Sequence, residues 1–378
     1  MDNKIFEKQL YLACSTNAVS DYALREIQVI QRDMCNDGSH ITNKQIEVLQ
    51  NLPRNPNKEE LFVGANSQII EQLKKSSPRI SVIIPTHNRL DMLCRCVDSI
   101  LQQDYLNTEI LIIDDCSTDS TYEVIKEKYG ALQNILYFCN DKNLGPGGSR
   151  HRAYTASTGE FIVFADDDDF YIEPTFFTKA IALMIEYPAL SMVCANSIIC
   201  NVEANTLTFE PVSFHGIMSG ESFFRGFSSK YRKPNSTFPT VFRKSKLEDA
   251  DFRDMKMMND TSIYLRASCV GDVCMIKDWV GVYLVHASNI SKALPHDFII
   301  ENLIEKHNIY NIGKKQFDFD LSEWYYEQLM VTVRYYLQSK QIEQRYLEDL
   351  LNWYEENGEG VSGKLKVETL NCYKNTRR

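Results

Sequence analysis

The chain has 378 residues, 44% apolar and 24% charged, the profile of a globular protein long enough to bury a large core in two or three domains. Its 51 acidic residues outnumber 41 basic ones, and the net charge of −10 argues against nucleic acid as the main partner. No run approaches the ~18 apolar residues a membrane span needs, and Met1-Asp2-Asn3-Lys4 does not open a signal peptide. The expected compartment is therefore the cytoplasm, out to the inner face of the membrane. The eleven cysteines follow no framework spacing and read as reduced thiols, and Cys94-x-Cys96 has no partner pair to complete a zinc set.

Residues 1–78 are expected to form a helical extension. Ile5–Ala13, Asp21–Cys35 and Asn43–Leu52 carry helical apolar spacing, a breaker cluster covers 51–57, and a further helix is predicted over 59–75. The period then changes. Ile80–Pro85 is a short β-branched run that reads as a buried strand. Asp91–Gln103 follows with helical spacing, and Glu109–Asp115 is a second buried strand ending in acid. A helix over Thr118–Tyr129 has Ser117 or Thr118 as its expected N-cap. Asn134–Cys139 is a third strand, and Ser149–Thr158 a third helix. Phe161–Ala165 is a fourth strand that runs into Asp166-Asp167-Asp168-Asp169. Such alternation predicts a parallel sheet covered by helices, with every strand's carboxyl end on one edge. Beyond it lie a helix over Pro174–Glu186, a strand over Leu190–Asn201 and a strand pattern over Val280–Val285. Residues 298–378 read as helical.

The edge gathers the chemistry. Pro85–Arg89, Asp114-Asp115, Asn143–Arg150 and Asp166–Asp169 are distant in sequence but converge where α/β sheets bind ligands. Four adjacent carboxylates repel one another unless a cation sits among them. Oxygen ligands select a hard ion such as Mg2+ or Mn2+. An acidic surface turn is the plain alternative. The three glycines of Asn143–Arg150 allow close backbone approach to a ligand and are expected to open a helix at Ser149. No G-x-G-x-x-G follows the first strand, which counts against a dinucleotide site.

In order and spacing, five blocks over about residues 79–290 resemble the family 2 glycosyltransferases of GT-A fold. They are Val82–Arg89, Ile112–Asp119, Asn143–Arg150, Gly159–Asp169, and Asn259-Asp260 with Val285–Ser291. The resemblance implies an α/β, Rossmann-like, mostly parallel sheet covered by helices. It also implies an inverting transfer from a nucleotide-sugar donor. Pro85, Thr86, Asn88 and Arg89 would lie beside the nucleoside, and Asp115 would accept the uracil N3–H unless it only caps the next helix. Arg150 would contact base or diphosphate. Asp166 and Asp168 match the family's D-x-D: Asp168 for direct metal contact, Asp166 for ribose or metal support, with Asp167 between them and Asp169 the following acid. Asp260 would be the general base, or else a plain helix cap, and Asp254 is a weaker candidate. Asn259 departs from the common Glu. His286 would complete the metal or diphosphate site. His87 and His151 are read as bystanders. Phe214–Lys244, with Arg225, Lys230, Arg232 and Lys233, either shapes the acceptor side or is a surface connector.

The expected organisation is a helical extension over 1–78, a GT-A domain over 79–297 and a helical region over 298–378. The expected function is transfer from a UDP-sugar, with Mn2+ or Mg2+, to a glycan, lipid-linked or protein acceptor in bacterial surface polysaccharide synthesis. The helical ends could dock a membrane surface or a second copy. The rival is a non-catalytic donor-binding or scaffold protein on the same fold.

Overall fold

The computed structural model describes residues 77–204, 206–286, 295–339 and 342–376. The N-terminal extension, apart from its last two residues, and the Ala287–Ser291 part of the fifth block lie outside the described residues.

Four strands, β1 (Ile80–Thr86), β2 (Thr108–Asp114), β3 (Ile135–Cys139) and β4 (Phe161–Phe164), alternate with helices α1 (Leu90–Leu101), α2 (Thr121–Tyr129) and α3 (Gly145–Ala156). They pair in the order β3-β2-β1-β4, all parallel. All seven β1 residues are buried, because both sheet faces are covered. The pleat decides which face each residue serves. Val82, Ile84, Ile110 and Ile112 pack with Leu93 and Val97 of α1 and Ile125 of α2. Ile83, Leu111 and Ile113 pack on the other face with Ala153 and Tyr154 of α3.

The chain continues through β5 (Phe170–Tyr171), α4 (Phe176–Glu186), β6 (Leu190–Asn201), β7 (Thr206–Thr208), β8 (Gly216–Met218) and α5 (Gly220–Gly226). Then come β9 (Thr240–Arg243), α6 (Lys244–Asp249), α7 (Asp260–Val270) and β10 (Asp272–Val285). The sheet extends past β4 as β9-β6-β10-β5, with β9 antiparallel to both neighbours and β6 parallel to β10. The result is the mostly parallel, helix-covered sheet expected.

Helices α8 (His296–Gln316), α9 (Ser322–Ser339), α10 (Gln344–Asn357) and α11 (Ser362–Asn375) complete the fold. They share one apolar core with α3 and α7. Phe224 stacks on Trp324 with ring centroids 4.1 Å apart, and the indole Nε1 donates to the Phe224 carbonyl at 2.9 Å. Arg266 of α7 binds Glu305 of α8 through two bonds of 2.6 and 2.9 Å, and both side chains are buried.

Two helix starts differ from expectation. Helix α3 begins at Gly145 rather than Ser149. Gly145 has φ +71°, which a glycine tolerates, and Pro146 presets the first turn. A Cβ on Gly147 would lie 3.5 Å from the Met258 nitrogen, so the loop's close approach includes one to the chain's own backbone. Helix α2 has Ser120 at its N-cap rather than Ser117 or Thr118, which are drawn instead into bonds with Asp114 and Asn88.

Candidate active site

The register of β1 with β4 sets Ile83 opposite Phe164. Carried on past the strand end, it brings the acidic run beside Thr86. The Thr86 hydroxyl donates to Asp167 Oδ2 at 2.8 Å. Arg89 spans two acids through one nitrogen, at 3.0 Å from Asp167 and 2.9 Å from Asp168. Arg150, buried on α3, pairs with Asp166, donates to the Met258 carbonyl at 2.9 Å and reaches Asp260 at 3.4 Å. Two arginines thus divide the charge of four aspartates.

Asp166, Asp168 and Asp169 each offer an oxygen within 4.8 Å of the others. Asp169 Oδ1 accepts the Leu284 N–H at 3.3 Å, while Oδ2 is buried without a hydrogen-bond partner. Burial, then Asp168 and Asp166, push the Asp169 carboxyl well above the usual range. Burial likewise raises Asp167 to about 6 against the pull of Arg89. An orphaned buried oxygen among hard oxygen donors is the environment a divalent cation fits. His286, at the end of β10, sits behind this cluster with Nε2 3.0 Å from Asp168 Oδ2.

Asp115 does not cap α2. Its Oδ1 accepts from Asn140 at 2.7 Å and from the Leu144 N–H at 2.7 Å, which anchors the loop that opens α3. Asn88, at φ +53°, accepts the Thr118 N–H at 2.7 Å and its own N–H donates to Ser117 Oγ at 2.9 Å. The loops after β1 and β2 are thereby locked together. The N-cap of α7 is Asn259, whose Oδ1 accepts the Ser262 N–H at 2.9 Å. That frees Asp260 from capping, and its side chain meets Arg150 and, at 3.6 Å, Lys233.

Pro85, Thr86, Asn88, Arg89, Asp115, Arg150, Asp166, Asp167, Asp168 and Asp260 all line one cavity of about 860 Å³, within the usual range for a small-molecule site. His286 lies just behind the lining. From Phe214–Lys244 the cavity takes Ser228 and Lys233. Arg225 instead packs over Phe319, and Arg232 pairs with Glu210. Asp254 is exposed and outside the lining. His87 lines the cavity, and His151 bonds the Arg253 carbonyl at 2.7 Å.

Sequence reasoning missed the far wall, built by Phe298, Ile299, Asn302 and Lys306 of α8 and Gln328, Val331, Thr332 and Tyr335 of α9. The spacings 298-302-306 and 328-332-335 are helical, so these residues share faces. Nothing in a helical period says that such a face meets a cavity 140 residues upstream in the chain.

The fold and the acid-lined rim define a class: a Rossmann-like sheet whose carboxyl edge is arranged around a polar ligand. Comparison with known proteins gives the family. The glycosyl transferase family 2 profile matches residues 81–246. WcaA of Escherichia coli K12, a glycosyl transferase assigned to colanic acid biosynthesis, is 31% identical over 195 residues, covering 51% of this chain and 67% of that protein. The GalNAc(5)-diNAcBac-PP-undecaprenol beta-1,3-glucosyltransferase of Campylobacter jejuni is 28% identical over 194 residues, 50% of this chain and 59% of that protein. Among solved structures, residues 1–349 of Staphylococcus aureus TarS in complex with UDP-GlcNAc superpose with a TM-score of 0.51 at 17% identity, over 79% of this chain and 90% of that one. The chain belongs to glycosyl transferase family 2, and its sheet is of the GT-A kind.

Proposed function

We propose that this protein is a metal-dependent, inverting glycosyltransferase that moves a sugar from a UDP-sugar to a glycan, lipid-linked or protein acceptor in bacterial surface polysaccharide synthesis. One observation carries the reading: Asp166 and Asp168 of the acidic cluster, and Asp260 from a helix far downstream in the chain, border the same cavity. Related proteins named for surface glycans, and the UDP-GlcNAc bound by TarS, support the donor class and the pathway. Among the described residues no helix is long and apolar enough to cross a membrane. A cytoplasmic site of action, with the helical end against a membrane or a second copy, belongs to the same proposal.

In this reading the loops of Pro85–Arg89 and Asp115 hold the nucleoside. Their mutual hydrogen bonds fix that wall before the donor arrives, which reduces the ordering cost of binding. Asp166 and Asp168, with His286 against Asp168 and Asp169 beside them, would hold Mn2+ or Mg2+, and such an ion would supply positive charge for the departing diphosphate. Arg150 holds Asp166 and Asp260 in fixed relation, so the donor end and the base keep one geometry. Asp260 takes the proton from the acceptor hydroxyl as that oxygen attacks the anomeric carbon from the face opposite the diphosphate. Lys233 beside Asp260 positions its carboxylate. The GT-A unit over 79–297 and the helical region over 298–378 then act together, because the helices wall the cavity.

UDP release from a panel of UDP-sugars, with Mn2+ and with chelator, tests the reading. Release that needs both the metal and Asp168 supports it. No release with any donor, with or without acceptor extracts, favours a non-catalytic binding protein.

A further inference from the structure

Lys306 is buried on α8 and lines the same cavity as the acidic rim. Its ammonium has three protons to donate. The acceptor it meets is Gln328 Oε1, at 3.3 Å. Among the described residues no carboxylate pairs with it: the adjacent Glu305 is committed to Arg266, and Asp260 to Arg150 and Lys233. Burial pushes the Lys306 ammonium down to about 8. A buried cation without a counter-ion is costly and is retained where a ligand supplies the missing charge.

The surroundings favour a ligand with two characters. Beside Lys306 the wall is polar, with Gln328, Asn302 and Thr332. Toward the opening it turns apolar: Val331 and Tyr335, four residues apart on α9, are 47% and 44% exposed, and Phe298 is half-buried. An anionic group that reaches Lys306 would leave its carbohydrate or apolar remainder against this rim.

We propose that the α8–α9 wall is the acceptor half of the cavity and that Lys306, with Gln328, receives an anionic oxygen group, phosphate or carboxylate, carried by the acceptor. This rests on the glycosyltransferase reading and narrows its acceptor to an anionic class. A charge-assisted bond to an ammonium in a water-poor wall discriminates strongly against a neutral hydroxyl, which gains much less there.

The test is a melting-temperature titration of the full chain with sn-glycerol 3-phosphate, D-glucuronate and D-glucose. It is run in EDTA, so that no metal at the acidic rim binds the probes, on wild type, Lys306→Met and Lys306→Gln. Expected is a concentration-dependent rise with one or both anions and none with glucose, and apparent affinity weaker by at least about tenfold in both variants. A response to glycerol phosphate alone assigns a phosphorylated acceptor, and one to glucuronate alone assigns an acidic sugar. No anion response in wild type, an equal response to glucose, or an undiminished anion response in a folded variant overturns the proposal. The two variants guard against one failing to fold. A parallel titration with UDP and Mn2+ reads the donor site separately: its failure would count against the donor reading while the anion result still stands or falls with Lys306.

Discussion

Replacing Lys306 by methionine should make the protein more stable. The side chains are similar in length, so packing is nearly conserved, while the unpaired ammonium is removed from a buried site. The gap between the ordinary lysine value of 10.5 and the value of about 8 in the fold amounts to about 3 kcal/mol of unfavourable desolvation. Leaving buried Gln328 without its donor returns about 1 kcal/mol of that, for a net gain of about 2 kcal/mol at neutral pH. The sign with pH follows from the proton count. Below pH 8 both folded and unfolded chains hold the proton, and the wild-type penalty is full. Between pH 8 and 10.5 the unfolded chain still holds the proton that the fold releases, so wild-type stability rises with pH and the mutant's advantage shrinks. Urea unfolding of both proteins at pH 7 and at about pH 9.5 reads the difference, which should fall toward zero at the higher pH. A mutant no more stable than wild type at pH 7, or an advantage that does not change with pH, would refute the burial argument. A more stable protein that has lost its response to anions would show a binding group kept at a cost to the fold.

Three further outcomes are expected. Asp168→Asn should reduce metal-dependent UDP release at least about a hundredfold while leaving the circular dichroism spectrum intact; near-normal turnover would remove Asp168 from the chemistry. Asp260→Asn should lower kcat by about 10²–10⁴ and retain UDP binding in a thermal-shift assay, and a loss confined to donor binding would argue against its role as base. Arg266→Met should cost about 3–5 kcal/mol by stranding the buried Glu305 carboxylate, and adding Glu305→Leu should recover most of it; an additive double mutant would show that the pair does not couple α7 to α8.

Much of the site was legible because parallel β-α-β units leave little freedom. Once Ile80–Pro85, Glu109–Asp115 and Phe161–Phe164 are strands joined by helices, their carboxyl ends must share an edge. The acids after β2 and β4 then lie along that same edge. Asp260 and His286 were reached only through the family resemblance, since the spacing of either says nothing about its distance from Asp168. Asp115 shows the limit of local reading: among so many capping residues, its tie to Asn140 and Leu144 depends on a loop 25 residues downstream. The start of α3 at Gly145 was hidden for a related reason, because glycines that look like a ligand loop also suit a positive φ and a close pass against Met258.

The sequence by itself determined the class of sheet, the edge on which chemistry gathers and the acids placed there, because strand period, crossover handedness and family motifs are local or nearly so. The tertiary structure alone decided how the charges pair and what closes the far side of the cavity. Arg89 and Arg150 could have met solvent or ligand, and the packing gave them to Asp167, Asp168, Asp166 and Asp260. Lys306 reads in the chain as one more helical lysine. It becomes a buried cation with no carboxylate partner among the described residues only when α8 folds back over α7, because burial and counter-ions are properties of contacts between distant segments.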